Sequence, residues 1–133
     1  MKKKFIGVVF LCLVLVFTSV AGAVTPRWSN IRKCAIGHNH VSDNVVWCGV
    51  EILGNPDATL ISNIDVTLKR YIGNDQWEVM YSWEDMYVVG NEFDFYAVAP
   101  DMPQNYTYRL CVTAYVYKDG VPEYLDMYHD EFH

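Results

Sequence analysis

The chain has four histidines, and they fall in two pairs. His38 and His40 stand two apart, so on a strand both imidazoles would project from one face and could share a metal ion. Turn signals place them instead at the hairpin between the first two strands, with no third ligand beside them. That reads as two solvated turn histidines. His129 and His133 bracket Asp130 and Glu131 at the C-terminal end, where a solvated tail is the expectation. Asn55, Asp57, Asn63 and Asp65 surround one inter-strand connection. Calcium asks for about six to eight oxygen ligands, and the Asp-x-Asp-x-Asp-Gly spacing that supplies them is missing, so ordinary acidic loops are expected. No metal site and no cofactor follow from these residues.

Catalysis needs a nucleophile beside a base, or two carboxylates held on rigid elements. Glu84 and Asp85 are adjacent, so on a strand they point to opposite faces. Ser29, Ser42, Ser62 and Ser82 lie in no nucleophile elbow. Cys111 has histidines only at a distance. The expectation is a protein that is not an enzyme. The aromatic content is more informative: four Trp and ten Tyr exceed what one small core can use. By strand parity Trp47, Tyr115 and Tyr117 point away from the inward faces, and they form the candidate ligand platform. Exposed rings beside acids and amides stack on sugars or anchor protein interfaces. The plainer reading is that they shield sheet edges or pack under loops.

These residues must be positioned by elements, and the chain announces them. Lys2, Lys3 and Lys4 precede an apolar run over residues 5–20, then Ala21-Gly22-Ala23, the three-part pattern of a cleavable signal peptide over residues 1–23. Cys12 lies inside the apolar run, far from the cut. The run is short of the roughly 20 residues that span a bilayer. Processing removes three of the ten basic residues and none of the sixteen acids, leaving 7 against 16, a net charge of −9. That argues against nucleic acid and against anionic membrane surfaces, and the expected location is extracellular.

Residues 24–133 are enough for one domain with its own core. Between turn signals the pattern alternates with period two, not 3.6. Strands are predicted over residues 28–37, 44–53, 62–72, 77–83, 91–98, 106–117 and 121–128. The breaks are Gly54-Asn55-Pro56-Asp57, Gly73-Asn74-Asp75, Pro100 with Pro103, and Asp119-Gly120. Strand formers fill the runs and Gly, Asn, Asp and Pro fill the breaks. The fold class is all-β, a single seven-stranded antiparallel domain after the signal peptide.

The segment Met102-Pro-Gln-Asn-Tyr-Thr-Tyr108-Arg-Leu-Cys-Val-Thr-Ala114 resembles the E–F corner and F strand of fibronectin type III and immunoglobulin-like sandwiches. Tyr108 sits at the tyrosine corner, where the ring packs inward and the hydroxyl returns to the backbone. Leu110, Val112 and Ala114 continue its inward face. Met102 stands where a leucine is usual, and Pro103 comes one residue earlier than the usual proline. Pro26-Arg27-Trp28, the Cys48 and Leu68 strands, Trp77 with Trp83, and Tyr108-Arg109 resemble a group of short secreted proteins of Gram-positive anaerobes that have no established activity. The resemblance implies a seven-stranded sandwich and no functional residues. A bacterial source gives the glycosylation pattern Asn105-Tyr106-Thr107 no meaning.

The inter-sheet disulfide of immunoglobulin-like folds would need an inward cysteine at position 110, but Cys111 points outward. A hairpin centred near Val41 brings Cys34 opposite Cys48, so a Cys34–Cys48 disulfide is predicted, with Cys111 free or intermolecular. The functional expectation is a secreted, non-catalytic binding or adhesion module that presents its aromatic surface to a glycan or an extracellular protein. The alternative is a structural, self-associating extracellular protein without a small ligand.

Overall fold

Among the described residues, alternating apolar and polar side chains form seven antiparallel strands: β1 (Ile31–Ser42), β2 (Val45–Gly54), β3 (Leu60–Gly73), β4 (Gln76–Val89), β5 (Glu92–Ala99), β6 (Thr107–Lys118) and β7 (Val121–Phe132). The computed structural model describes residues 28–133. The expected signal peptide, residues 1–23, lies outside them. One sheet has the order β1-β2-β5 and the other β4-β3-β6-β7, so the architecture is a β-sandwich. β6 shows how pattern becomes packing. Tyr108, Leu110, Val112, Ala114 and Val116 are fully buried, while the residues between them face away from the core. Ile36, Val46, Val50 and Ile52 meet them from the other sheet, with Ile64, Val66 and Leu68 alongside. The Tyr108 hydroxyl donates to the Pro103 carbonyl, as expected at that corner. Asp119 and Gly120 both take positive φ, 51° and 74°, as a tight hairpin between right-twisted strands requires.

Three strands run further than their residue types suggest. β1 continues through His38 and His40 to Ser42, because the chain reverses at Asp43 and Asn44, where Asn44 takes φ 62°. β7 continues to Phe132, and beyond it His133 is docked: Asn105 donates its N–H to the His133 carbonyl at 2.5 Å, and His133 donates to the Tyr106 carbonyl at 3.1 Å. β4 continues through the Glu84-Asp85 segment to Val89. Two offsetting bulges allow this, one in β3 at Ser62-Asn63 and one in β4 at Glu84-Asp85, with Asn63 and Asp85 at φ 51° and 58°. The Asp65 carboxylate accepts the Asp85 N–H at 2.9 Å and pins the second bulge.

The later reversal overturns the predicted disulfide. Cys34 pairs with Ile52, and Cys48 pairs with His38. The two cysteines are therefore offset by four residues along the ladder, about 13 Å at strand rise, well beyond disulfide reach. Cys34, Cys48 and Cys111 are all free thiols. Burial pushes Cys34, with Glu51 adding to the effect, and Cys48 up to about 12. At neutral pH both fill the core as protonated, apolar groups.

Candidate functional site

Trp47, Tyr115 and Tyr117 do not come together. Trp47 lies on the outer face of the three-stranded sheet, stacked on Tyr96 at 5.5 Å and packed beside Ala35 and Val41, and is only 4% exposed. Tyr115 and Tyr117 lie on the outer face of the four-stranded sheet, Tyr115 exposed and Tyr117 half-buried. Parity assigned Trp47 to the correct face, but a neighbouring strand covers it there.

A different aromatic set does assemble on the outer face of the four-stranded sheet, centred on Arg109, with a Tyr115–Tyr124 pair further along the same strands. The Arg109 guanidinium lies 4.2 Å from the Trp77 ring centre and 4.1 Å from that of Tyr128. Asp130 holds it in place with two contacts of 2.7 and 2.8 Å. Tyr71 meets Trp77 edge-on at 5.0 Å, and Tyr115 meets Tyr124 at 5.1 Å with the planes 49° apart. Period-two alternation over residues 77–83 would put Trp77 on one face with Tyr81 and Trp83. Leu68 pairs with Tyr81 but Lys69 with Val79, so the extra residue at Met80 reverses the parity and turns Trp77 outward. Tyr124 and Tyr128 were missed because only the register of β7 on β6, Tyr115 opposite Tyr124 and Cys111 opposite Tyr128, shows that they share this face.

The second assembly gathers all four histidines of the sequence. β1 and β7 are edge strands of opposite sheets, and they face one another along one side of the sandwich. On β1 the inward row is Cys34, Ile36, His38, His40. On β7 it is Leu125, Met127, His129, Glu131, continued by His133. Both rows change from apolar to titratable at the same end, so two histidine pairs about ninety residues apart in sequence share one place.

His38 is 1% exposed. Its Nε2 lies 3.0 Å from the His129 carbonyl and its Nδ1 lies 2.7 Å from His133 Nε2. A carbonyl only accepts, so His38 donates from Nε2 and its Nδ1 accepts from His133. His40 likewise donates from Nε2 to the Met102 carbonyl at 2.9 Å. Burial, with His133 close by, pushes His38 down to about 3. Burial, with His40 and His129 close by, pushes His133 down to about 4. Both rings are neutral at neutral pH. His40 Nδ1, His129 Nε2 and Glu131 Oε2 are shut off from solvent without a hydrogen-bond partner. Each such orphan costs about 1–3 kcal/mol. His129 Nε2 and Glu131 Oε2 are 3.5 Å apart.

The acids and amides considered for calcium are committed elsewhere. Asn55 donates to the Ser29 carbonyl, Asp57 pairs with Lys118 at 3.2 Å, and Asp65 and Asn63 serve the bulges.

No protein-family model and no curated protein matches the sequence. Among solved structures the chain is similar to the crystal structure of Spo0M, sporulation control protein, from Bacillus subtilis, at 16% identity and a TM-score of 0.42. The similarity covers 74% of this chain and 47% of that one, so the chain spans less than half of that protein's length. A likeness at that level carries no argument about site or activity.

Proposed function

We propose that this chain is a secreted, non-catalytic binding module of the fibronectin III-like or immunoglobulin-like kind, which engages an extracellular protein through the outer face of its four-stranded sheet. The division of the strands, with the first, second and fifth in one sheet, supports that fold reading, as does the hydroxyl of Tyr108 returning to Pro103. The signal-like N-terminus and the resemblance to short secreted proteins support the location.

The observation that carries the binding reading is that one sheet face presents Tyr71, Trp77, Arg109 and Tyr128 as one cluster and Tyr115 with Tyr124 as a second, the two separated by Thr113 and Asp126. Tyr, Trp and Arg are the residues enriched in interface hot spots. A protein fits this face better than a sugar does. Pyranose stacking uses an open, flat ring face, whereas here Arg109 lies over Trp77 and Tyr128 and the tyrosine pair is tilted. Ring edges and hydroxyls are what remain on offer.

The test is recovery of partners from the extracellular fraction by the wild type and by the Tyr124→Ala/Tyr128→Ala variant, followed by affinity measurement on the purified pair. The variant should keep its melting temperature and lose about 2 kcal/mol or more of binding, roughly thirtyfold in Kd. A partner held equally well by the variant overturns the reading. Binding only on a glycan array, or only to second copies of the chain, transfers the face to a sugar or to self-association.

A further inference from the structure

We propose that the histidine cluster binds one divalent transition-metal ion of the zinc class, held by His38 of β1 and by Glu131 and His133 at the end of β7, with His129 beside them. The inference is independent of the aromatic face, which lies on the other side of the same sheet.

The donors are already gathered. One ligand atom from each of His38, Glu131 and His133 lies within 4.8 Å of the others. Around a tetrahedral ion with bonds of about 2.0–2.1 Å, neighbouring ligand atoms stand about 3.3 Å apart. Reaching that spacing means opening the 2.7 Å contact between His38 and His133 and drawing the Glu131 carboxylate inward. Glu131 and His133 are half-buried, while His38 is fixed between the sheets.

The donors are also correctly oriented. A metal-binding histidine commonly donates its other ring N–H to a backbone carbonyl, which fixes the tautomer and aims the lone pair. His38 does this through the His129 carbonyl, and its Nδ1 lone pair points into the cluster. Binding would move the His133 proton from Nε2 to Nδ1, so that the ring stays a neutral imidazole and its Nε2 lone pair is free for the ion. Glu131 Oε2 and His129 Nε2, buried 3.5 Å apart and without a hydrogen-bond partner, are atoms that a cation beside them would satisfy. Imidazole nitrogens with a carboxylate suit zinc and its neighbours, whereas calcium and magnesium select oxygen.

The bound ion would tie the open edge of one sheet to the open edge of the other, so its effect is read in stability as well as in binding. The purified protein, stripped with a chelator and dialysed, is titrated with Zn(II) by calorimetry and with Co(II) by visible absorption. One ion per chain is expected, with a tetrahedral Co(II) spectrum and a melting temperature that rises with zinc concentration. The Glu131→Gln/His133→Ala variant should lose at least roughly tenfold in affinity and should no longer be stabilised by zinc. Cys111→Ser, which removes the one outward thiol among the described residues, should bind like the wild type. His38→Ala removes the fixed ligand; should it fail to fold, the pair on the β7 side decides. Failure of the wild type to bind Zn(II) or Co(II), undiminished binding by the Glu131→Gln/His133→Ala variant, or loss of binding in Cys111→Ser would overturn the proposal and leave the cluster a hydrogen-bonded lock between the sheets.

Discussion

Trp47 keeps its indole on the outside of a sheet and still holds only 4% of its surface in water, because Tyr96 lies flat over it. The Tyr115 ring, on the outer face of the other sheet, leans on Tyr124 but remains 38% exposed. The two positions should therefore respond differently to truncation. Trp47→Ala should cost about 3 kcal/mol, in the range for removing a buried large aromatic. Tyr115→Ala should stay within about 1 kcal/mol. Urea unfolding of the two variants checks this, and equal losses would mean that Trp47 is not packed as described. Strand parity alone had put both rings in water. Parity names a face, and only the neighbouring strand decides whether the face is wet.

The seam between β1 and β7 is fastened at both ends, and only one end uses histidine. At the other, the Glu123 carboxylate accepts backbone N–H groups from Ser29 at 2.7 Å, Asn30 at 2.7 Å and Ile31 at 3.1 Å. The buried Asn30 amide donates in turn to the carbonyls of Val116 and Val121. Glu123→Ala leaves those donors to water or to nothing and should cost about 1–3 kcal/mol. Glu123→Gln, which keeps one acceptor oxygen, should cost less. Hydrogen exchange at Asn30 and Ile31 would locate the loss, and unchanged protection there would refute the assignment. All seven strands were legible, because apolar residues two apart can serve only a sheet. Their ends were not. His38, His40, Asp130 and Glu131 are poor strand formers, and tertiary partners hold them in the ladder. The site was illegible for the same reason: its halves lie on strands that share no ladder, so no hairpin pattern in the sequence announces that they meet.

For the whole molecule, the seam closes one side of the sandwich, while β4 and β5 remain as edge strands on the other. β4 is the greater exposure. It is 14 residues long, and it presents Val79, Tyr87 and Val89 at 57%, 69% and 79% exposure. A straight, apolar strand of that length with one row of backbone groups unpaired would template the addition of another chain. β4 is not straight. The extra residues at Met80 and at Glu84-Asp85 break its repeat, so an incoming strand would lose register before it had paired along the whole edge. The irregularity that hid the end of β4 from a sequence reading thus also acts as a barrier to polymerisation. Deleting Met80 and Asp85 together should remove that barrier: the variant is expected to form soluble oligomers or thioflavin-positive fibrils under conditions where the wild type stays monomeric by light scattering. A variant that remained monomeric would show that charge repulsion between these acidic chains, and not the bulges, keeps the edge single.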